Sequence, residues 1–172
     1  MQLVGITVMI ICEVTVMEDL QTQIAPQEDK MTTKQELIDG LNQDLAHEYQ
    51  AVIAYTVYAA EVAGPFRPAL RDFFLEEAAD ELKHAQMLAD KISALGGVPT
   101  AEPAPVAQAT TPRAMLEAVL AAETETIERY TRRMAQAEEV GELALVAQLH
   151  DMIVDETHHK EEVTKLLEGF PG

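Results

Sequence analysis

The chain has 172 residues, enough for one domain with a sizeable core or for one domain plus a short extension. Hydrophobic residues make up 48% of it while aromatics supply 5% and Trp is absent, so small and aliphatic side chains fill the interior, which favours helix over strand. Twelve basic against thirty acidic residues give a net charge of −18, which repels nucleic acid and attracts cations, and the single cysteine, Cys12, excludes an internal disulfide and a cysteine-rich metal site.

Residues 1–30 are unlike the rest. Leu3 to Cys12 carries no charge, yet this run of ten is shorter than the roughly 20 residues a spanning helix needs. It also lacks the basic start of a secretory signal. It reads either as an edge strand or irregular arm, or as a stretch upstream of a natural start at Met31. No function is placed on it. The expected division is an N-terminal extension over 1–30 and one helical domain over 31–172, in the cytoplasm and not in a membrane.

Four long helical segments follow. The first runs from about Lys34 to Ala63, with Thr33 and Glu36 as a capping box. Leu37, Leu41, Leu45, Glu48, Val52, Tyr55, Ala59 and Val62 recur at steps of three and four, which marks one helical face. Gly64-Pro65 ends it. The second runs from about Phe66 to Leu95, with Leu70, Phe74, Glu77, Glu81, His84, Leu88, Ile92 and Leu95 inward, and Gly96-Gly97 stops it.

Residues 96–111 are rich in Pro and Ala and have little helical periodicity. A helix of about 28 residues is about 42 Å long, and sixteen extended residues span roughly 53 Å. The segment can therefore run back along a whole helix as a crossover. Thr111 and Pro112 look like an N-cap and a first-turn proline. The third helix continues to about Glu139, with Leu116, Leu120, Glu123, Ile127, Tyr130 and Met134 inward. After Gly141 the fourth helix runs to about Glu168, with Leu145, Leu149, Met152, Glu156, His159, Val163 and Leu166 inward. The expected fold is all-α, a four-helix bundle with a long crossover between the second and third helices.

The same anomaly sits on every stripe. Glu48, Glu81, Glu123 and Glu156 occupy positions where Leu is expected. Burying ionised carboxylates without a counter-charge is very costly, and these stripes bring too few Lys or Arg to supply one. Metal cations would. Glu81 to His84 and Glu156 to His159 are each i, i+3 pairs that project from one helix face. Glu48 and Glu81 are 33 residues apart and centre on the Gly64-Pro65 turn; Glu123 and Glu156 are also 33 apart and centre near Gly141. Each hairpin thus sets one lone Glu opposite one Glu-x-x-His pair at equal height. Four carboxylates and two imidazoles form a ligand set described for di-iron and di-manganese proteins, and they suit Fe(II) or Mn(II).

Nearby residues are weaker candidates. Asp80 and Asp155 each precede a ligand Glu and are placed to orient a histidine through its second ring nitrogen. Glu77 is a spare carboxylate one turn before Glu81. Tyr55, two turns after Glu48, either bonds a ligand, donates an electron or simply packs. His158 reads as exposed or as such a supporting residue, and His47, Glu125 and His150 receive no role.

Residues 34–168 resemble the bacterioferritin branch of the ferritin-like superfamily, through LNQDLAHEYQAVIAY, EEAADELKHAQ, MLEAVLAAETE and VDETHHKEEV. The resemblance implies that Glu48, Glu81, His84, Glu123, Glu156 and His159 hold two iron ions per chain, with manganese an alternative, and that Tyr55 is the family's first-helix tyrosine with a catalytic role. It implies a ferroxidase that oxidises Fe(II) with O2 or peroxide and serves storage or detoxification within a homo-oligomer. Two departures qualify this. Leu82 stands where the family's haem-binding methionine would be, so haem is not expected. The chain ends at Gly172, without room for the fifth helix of shell-forming members, which leaves a dimer or a smaller shell open. Rival readings keep the bundle: a manganese or iron peroxide-consuming enzyme of the catalase or rubrerythrin kind, or a non-catalytic protective protein of the miniferritin kind. Proteins of the miniferritin kind protect DNA, but here the ligands complete a site within one chain and the N-terminus has no Lys cluster, so no nucleic-acid partner is expected.

Overall fold

In the computed structural model, residues 32–170 are described, and the expected N-terminal extension lies outside them. They form four helices and, among the described residues, no strand: α1 Lys34–Glu61, α2 Arg67–Ala94, α3 Pro112–Val140 and α4 Leu143–Glu168. The all-α four-helix architecture is the one expected, with boundaries shifted by one or two residues at the turns.

Local chemistry sets the ends. Thr33 Oγ1 accepts the amide of Glu36 at 3.2 Å, and Glu36 Oε2 accepts the amide of Thr33 at 2.8 Å, so two otherwise unsatisfied donors at the start of α1 are paired. Thr111 caps α3 by accepting the amide of Ala114 at 3.2 Å, with Pro112 in the first turn, where its missing N–H costs nothing. Gly141, at φ 84°, ends α3 in a left-handed conformation that a side chain would strain.

The link between α2 and α3 is extended and tied to α1. The Thr100 amide donates to Asn42 Oδ1 at 2.7 Å, the Ala104 amide to the Ala46 carbonyl at 2.8 Å, and the Tyr58 hydroxyl to the Ala107 carbonyl at 2.8 Å. These contacts advance along α1 from its start toward its end. The link is therefore a true crossover, and α3 begins where α1 finishes. Hairpins α1–α2 and α3–α4 pack face to face mainly through α1 and α3, while α2 and α4 touch little.

The apolar interior falls into two clusters rather than one. Leu37, Leu41, Leu45, Leu88, Ile92, Tyr130, Leu145 and Leu149 build one. Tyr55, Tyr58, Leu70, Phe74, Met115, Leu116 and Val163 build the other. The four glutamates lie between these plugs.

The expected stripes of α1 and α2 hold closely, but α3 departs by one position. Val119, Thr126 and Arg133 are buried there, where Leu120, Ile127 and Met134 were expected and are only partly so. Thus a buried cation does exist. Arg133, 7% exposed, answers Asp44, 0% exposed, through an Nε–Oδ2 hydrogen bond of 2.7 Å, and it does not serve the glutamates. Gly40 makes room for it: a Cβ at that position would lie 1.5 Å from Arg133 Nη1.

Candidate dimetal centre

Between the plugs, α1 contributes Glu48, α2 Glu81 and His84, α3 Glu123, and α4 Glu156 and His159. All six are buried. The structure brings them into two overlapping sets: Glu48, Glu81, His84 and Glu156, and then Glu81, Glu123, Glu156 and His159, with the ligand-type atoms of each set within 4.8 Å of one another. Glu81 and Glu156 belong to both. Each hairpin thus gives three residues to one set and lends one carboxylate to the other.

The imidazoles point inward through the same atom. His84 Nδ1 lies 3.1 Å from Glu81 Oε2, 3.0 Å from Glu156 Oε1 and 3.7 Å from Glu48 Oε2. His159 Nδ1 lies 3.5 Å from Glu156 Oε2 and 3.7 Å from Glu81 Oε1. Behind the first ring, His84 Nε2 is 3.5 Å from Asp155 Oδ2. That is the orienting contact expected of Asp155, made across the hairpins. Asp80 does not mirror it and pairs with Lys83 on its own helix. His158 is exposed.

The tyrosines close the centre above and below. Tyr55 donates its hydroxyl to Glu123 Oε1, and Tyr130 donates to Glu48 Oε1. Tyr130 was expected only as core. The signal for a role was available, because 55 to 130 is the same step of 75 that relates Glu48 to Glu123, Glu81 to Glu156 and His84 to His159. Burial, then the neighbouring glutamate, raises both phenols well above their ordinary range, so both remain donors.

The electrostatics are those of a site assembled against its own preference. Burial, reinforced by repulsion from Glu81, pushes Glu48 well above the carboxylate range, and burial with the proximity of Glu156 does the same to Glu123. Burial would also raise Glu156, but the imidazoles of His159 and His84 outweigh it and hold that carboxyl low. Burial lowers both histidines, yet their carboxylate neighbours prevail: His84 is pushed far up and His159 to about 10. Glu48 Oε2, Glu123 Oε2, both Glu156 oxygens and His159 Nδ1 are buried without a well-aligned hydrogen bond among the described residues. A group of acceptors aimed at one another is satisfied by cations rather than by further side chains. The oxygen-and-imidazole donor set fits Fe(II) or Mn(II).

A narrow chamber of about 50 Å³ opens beside Tyr55, Glu81 and Glu123 on the α1–α3 face, with His47, Glu125 and Arg129 in its wall. His47 and Glu125 had no expected role. Their position depends on how α1 and α3 cross, which spacing within one helix does not reveal.

Comparison with known proteins agrees with this geometry. The family model for the ferritin-like domain matches residues 38–172. The nutrient stress-induced DNA-binding protein of Synechococcus sp. (strain PCC 6301) is 30% identical over 119 residues, covering 63% of this chain and 68% of that protein. A crystal structure of ferritin like, diiron-carboxylate proteins from Bacillus anthracis str. Ames superposes with a TM-score of 0.77 at 50% identity, over 78% of this chain and 96% of that one.

Proposed function

The chain belongs to the family of ferritin-like domains, and from that premise we propose that it is a ferroxidase that binds two Fe(II) ions per chain and oxidises them with O2 or peroxide. The observation that carries this reading is the pair of buried ligand sets that share Glu81 and Glu156. Four carboxylates would balance two divalent ions, with Glu81 and Glu156 common to both sets. Bound iron supplies the electrons that the oxidant accepts. The remaining work belongs to the protein. Glu48 and Glu123 hold the outer side of each position, each steadied by a tyrosine from the opposite hairpin. His84 and His159 would each offer a neutral nitrogen to one ion once their protons leave. Tyr55 lies against Glu123 and the chamber, and we assign it the catalytic role of keeping that carboxylate aligned and a proton at hand. The apolar plugs exclude water from the other sides.

The test is an aerobic Fe(II) titration followed by absorbance. A saturating fast phase near two irons per chain is expected, and Glu81→Ala, which removes a residue of both sets, is expected to abolish it. Equal rates in that variant would reject the assignment.

We propose a second, compatible role, the sequestration of iron for storage or detoxification within an assembled protein, which the net charge of −18 favours by drawing in cations. The Synechococcus relative's name says that it binds DNA. The net charge of −18 here works against the phosphate contacts such binding needs. We propose a homo-oligomer without nucleic acid, acting in the cytoplasm; no helix among the described residues is long and apolar enough to cross a membrane. Solution mass with and without iron, and a gel shift at low salt, test these points separately.

A further inference from the structure

The step of 75 residues relates ligand to ligand and tyrosine to tyrosine, but it fails at an inward position that touches the centre. One turn before Glu81 stands Glu77; one turn before Glu156 stands Met152. Both are buried, at 8% and 4% exposure. Met152 joins the apolar cluster around Leu149. Glu77 Oε2 reaches into the centre and lies 3.2 Å from His159 Nδ1, the atom that faces Glu81 and Glu156. That oxygen is buried with no hydrogen bond of good geometry among the described residues. A solvated acid would turn outward; this one is held with its free oxygen beside an imidazole already aimed at a metal position.

On the other side, the buried Asp44, one turn before Glu48, is taken up by Arg133, and the further carboxylate in contact with the imidazole is Asp155. It is 61% exposed and stands behind the His84 ring at Nε2, where it orients the imidazole and cannot reach the ion-facing atom. The half of the centre beside His159 therefore has an extra carboxylate, and the half beside His84 does not.

We propose that Glu77 is a seventh ligand that makes the two metal positions unequal, so that the ion beside His159 is held more tightly and is loaded first. The inference rests on the dimetal reading above. An added anionic oxygen strengthens the field at a hard divalent cation and completes more of its coordination, whereas a thioether at the matching place offers a poor ligand to such an ion. The consequence is a resident ion next to His159 and a more exchangeable one next to His84.

The experiment is a Co(II) titration of the metal-free full-length chain, read by equilibrium dialysis and by the visible absorption of bound Co(II), with wild type, Glu77→Gln and Glu77→Met compared. Wild type should take up two ions in two steps separated by at least tenfold in affinity. Both variants should lose the tighter step by on the order of 10–100-fold, leaving two similar sites with uptake still near two. Glu77→Met installs the residue of the matching position, and Glu77→Gln keeps the shape if the methionine variant folds poorly. Soaking wild-type crystals with Mn(II) should place a Glu77 oxygen on the ion beside His159. Two equal steps in wild type, or two unequal steps unchanged in both variants, would overturn the role of Glu77 while leaving the dimetal centre standing. An absence of saturable uptake in wild type would overturn both.

Discussion

Tyr55 and Tyr130 occupy equivalent places in the two hairpins, and each hydrogen-bonds a glutamate of the other hairpin, Glu123 and Glu48 respectively. Each is also the innermost member of a different apolar plug. The hairpins are thus latched together at the centre by the residues that seal it. Tyr55→Phe and Tyr130→Phe should each cost about 1–2 kcal/mol in urea denaturation of the metal-free protein, the range for a buried hydrogen bond to a carboxyl group. Both should slow Fe(II) oxidation. A large loss in one variant and none in the other would show that the two latches are not equivalent.

Gly40 tests the buried ion pair. In most helix interiors Gly→Ala gains about 1 kcal/mol. Here the new methyl group would land on the Arg133 guanidinium and drive it from Asp44. Gly40→Ala should therefore lower the melting temperature. Arg133→Met, which leaves the buried Asp44 only the longer 3.9 Å approach of Arg129 Nε, should cost about 3 kcal/mol. A melting temperature raised by Gly40→Ala would contradict the packing described.

Metal should stabilise the fold by mass action. At 100 times its dissociation constant, one bound ion contributes about 2.7 kcal/mol. Thermal melts with Mn(II) should shift upward in wild type, much less in Glu156→Ala, which cuts both ligand sets, and by an intermediate amount in Glu48→Ala, which cuts one. In the absence of metal, Glu48→Gln should melt higher than wild type, because it removes a carboxylate whose burial is unfavourable.

The pH dependence of the metal-free protein has a definite sign. Glu77 is raised by burial to about 7, Glu48 and Glu123 are raised as well, and His159 is raised to about 10. In each case the folded chain holds its proton to higher pH than the unfolded chain does. For the glutamates this contribution is complete below about pH 4.5 and fades as pH rises through the folded values; for His159 it is complete below about 6.5 and fades toward 10. The melting temperature of the metal-free protein should fall between pH 5 and 8. Saturating Mn(II) should flatten or reverse the slope, since ligand protons leave when metal enters. A metal-free melting temperature that climbs over this interval would refute the assignment.

Much of the centre was legible because an ionisable residue in the phase of leucine is a contradiction that few structures resolve. Glu48, Glu81, Glu123 and Glu156 each stand out against their own stripe, and equal spacing about two turns pairs them. A mixed helix face misleads: on α3, Met134 has the phase of an inward residue, while Arg133 is the buried one because Asp44 awaits it on another helix. Tyr130 was hidden by its own plausibility as core, since an aromatic on an apolar stripe raises no question. The chamber at His47, Glu125 and Arg129 depends on the crossing of α1 and α3, which no single helix encodes.

The division of ligands between the hairpins governs when the centre can come into being. A hairpin forming alone gathers three of the four side chains of one set, and the fourth arrives only on docking with its counterpart. On the proposed reading, metal is then a poor nucleus for folding. The chain must collapse around a layer of mutually repelling acids held in check by borrowed protons, before any metal enters. Refolding rates should accordingly be nearly indifferent to added metal, whose influence is felt instead in how slowly the finished bundle comes apart.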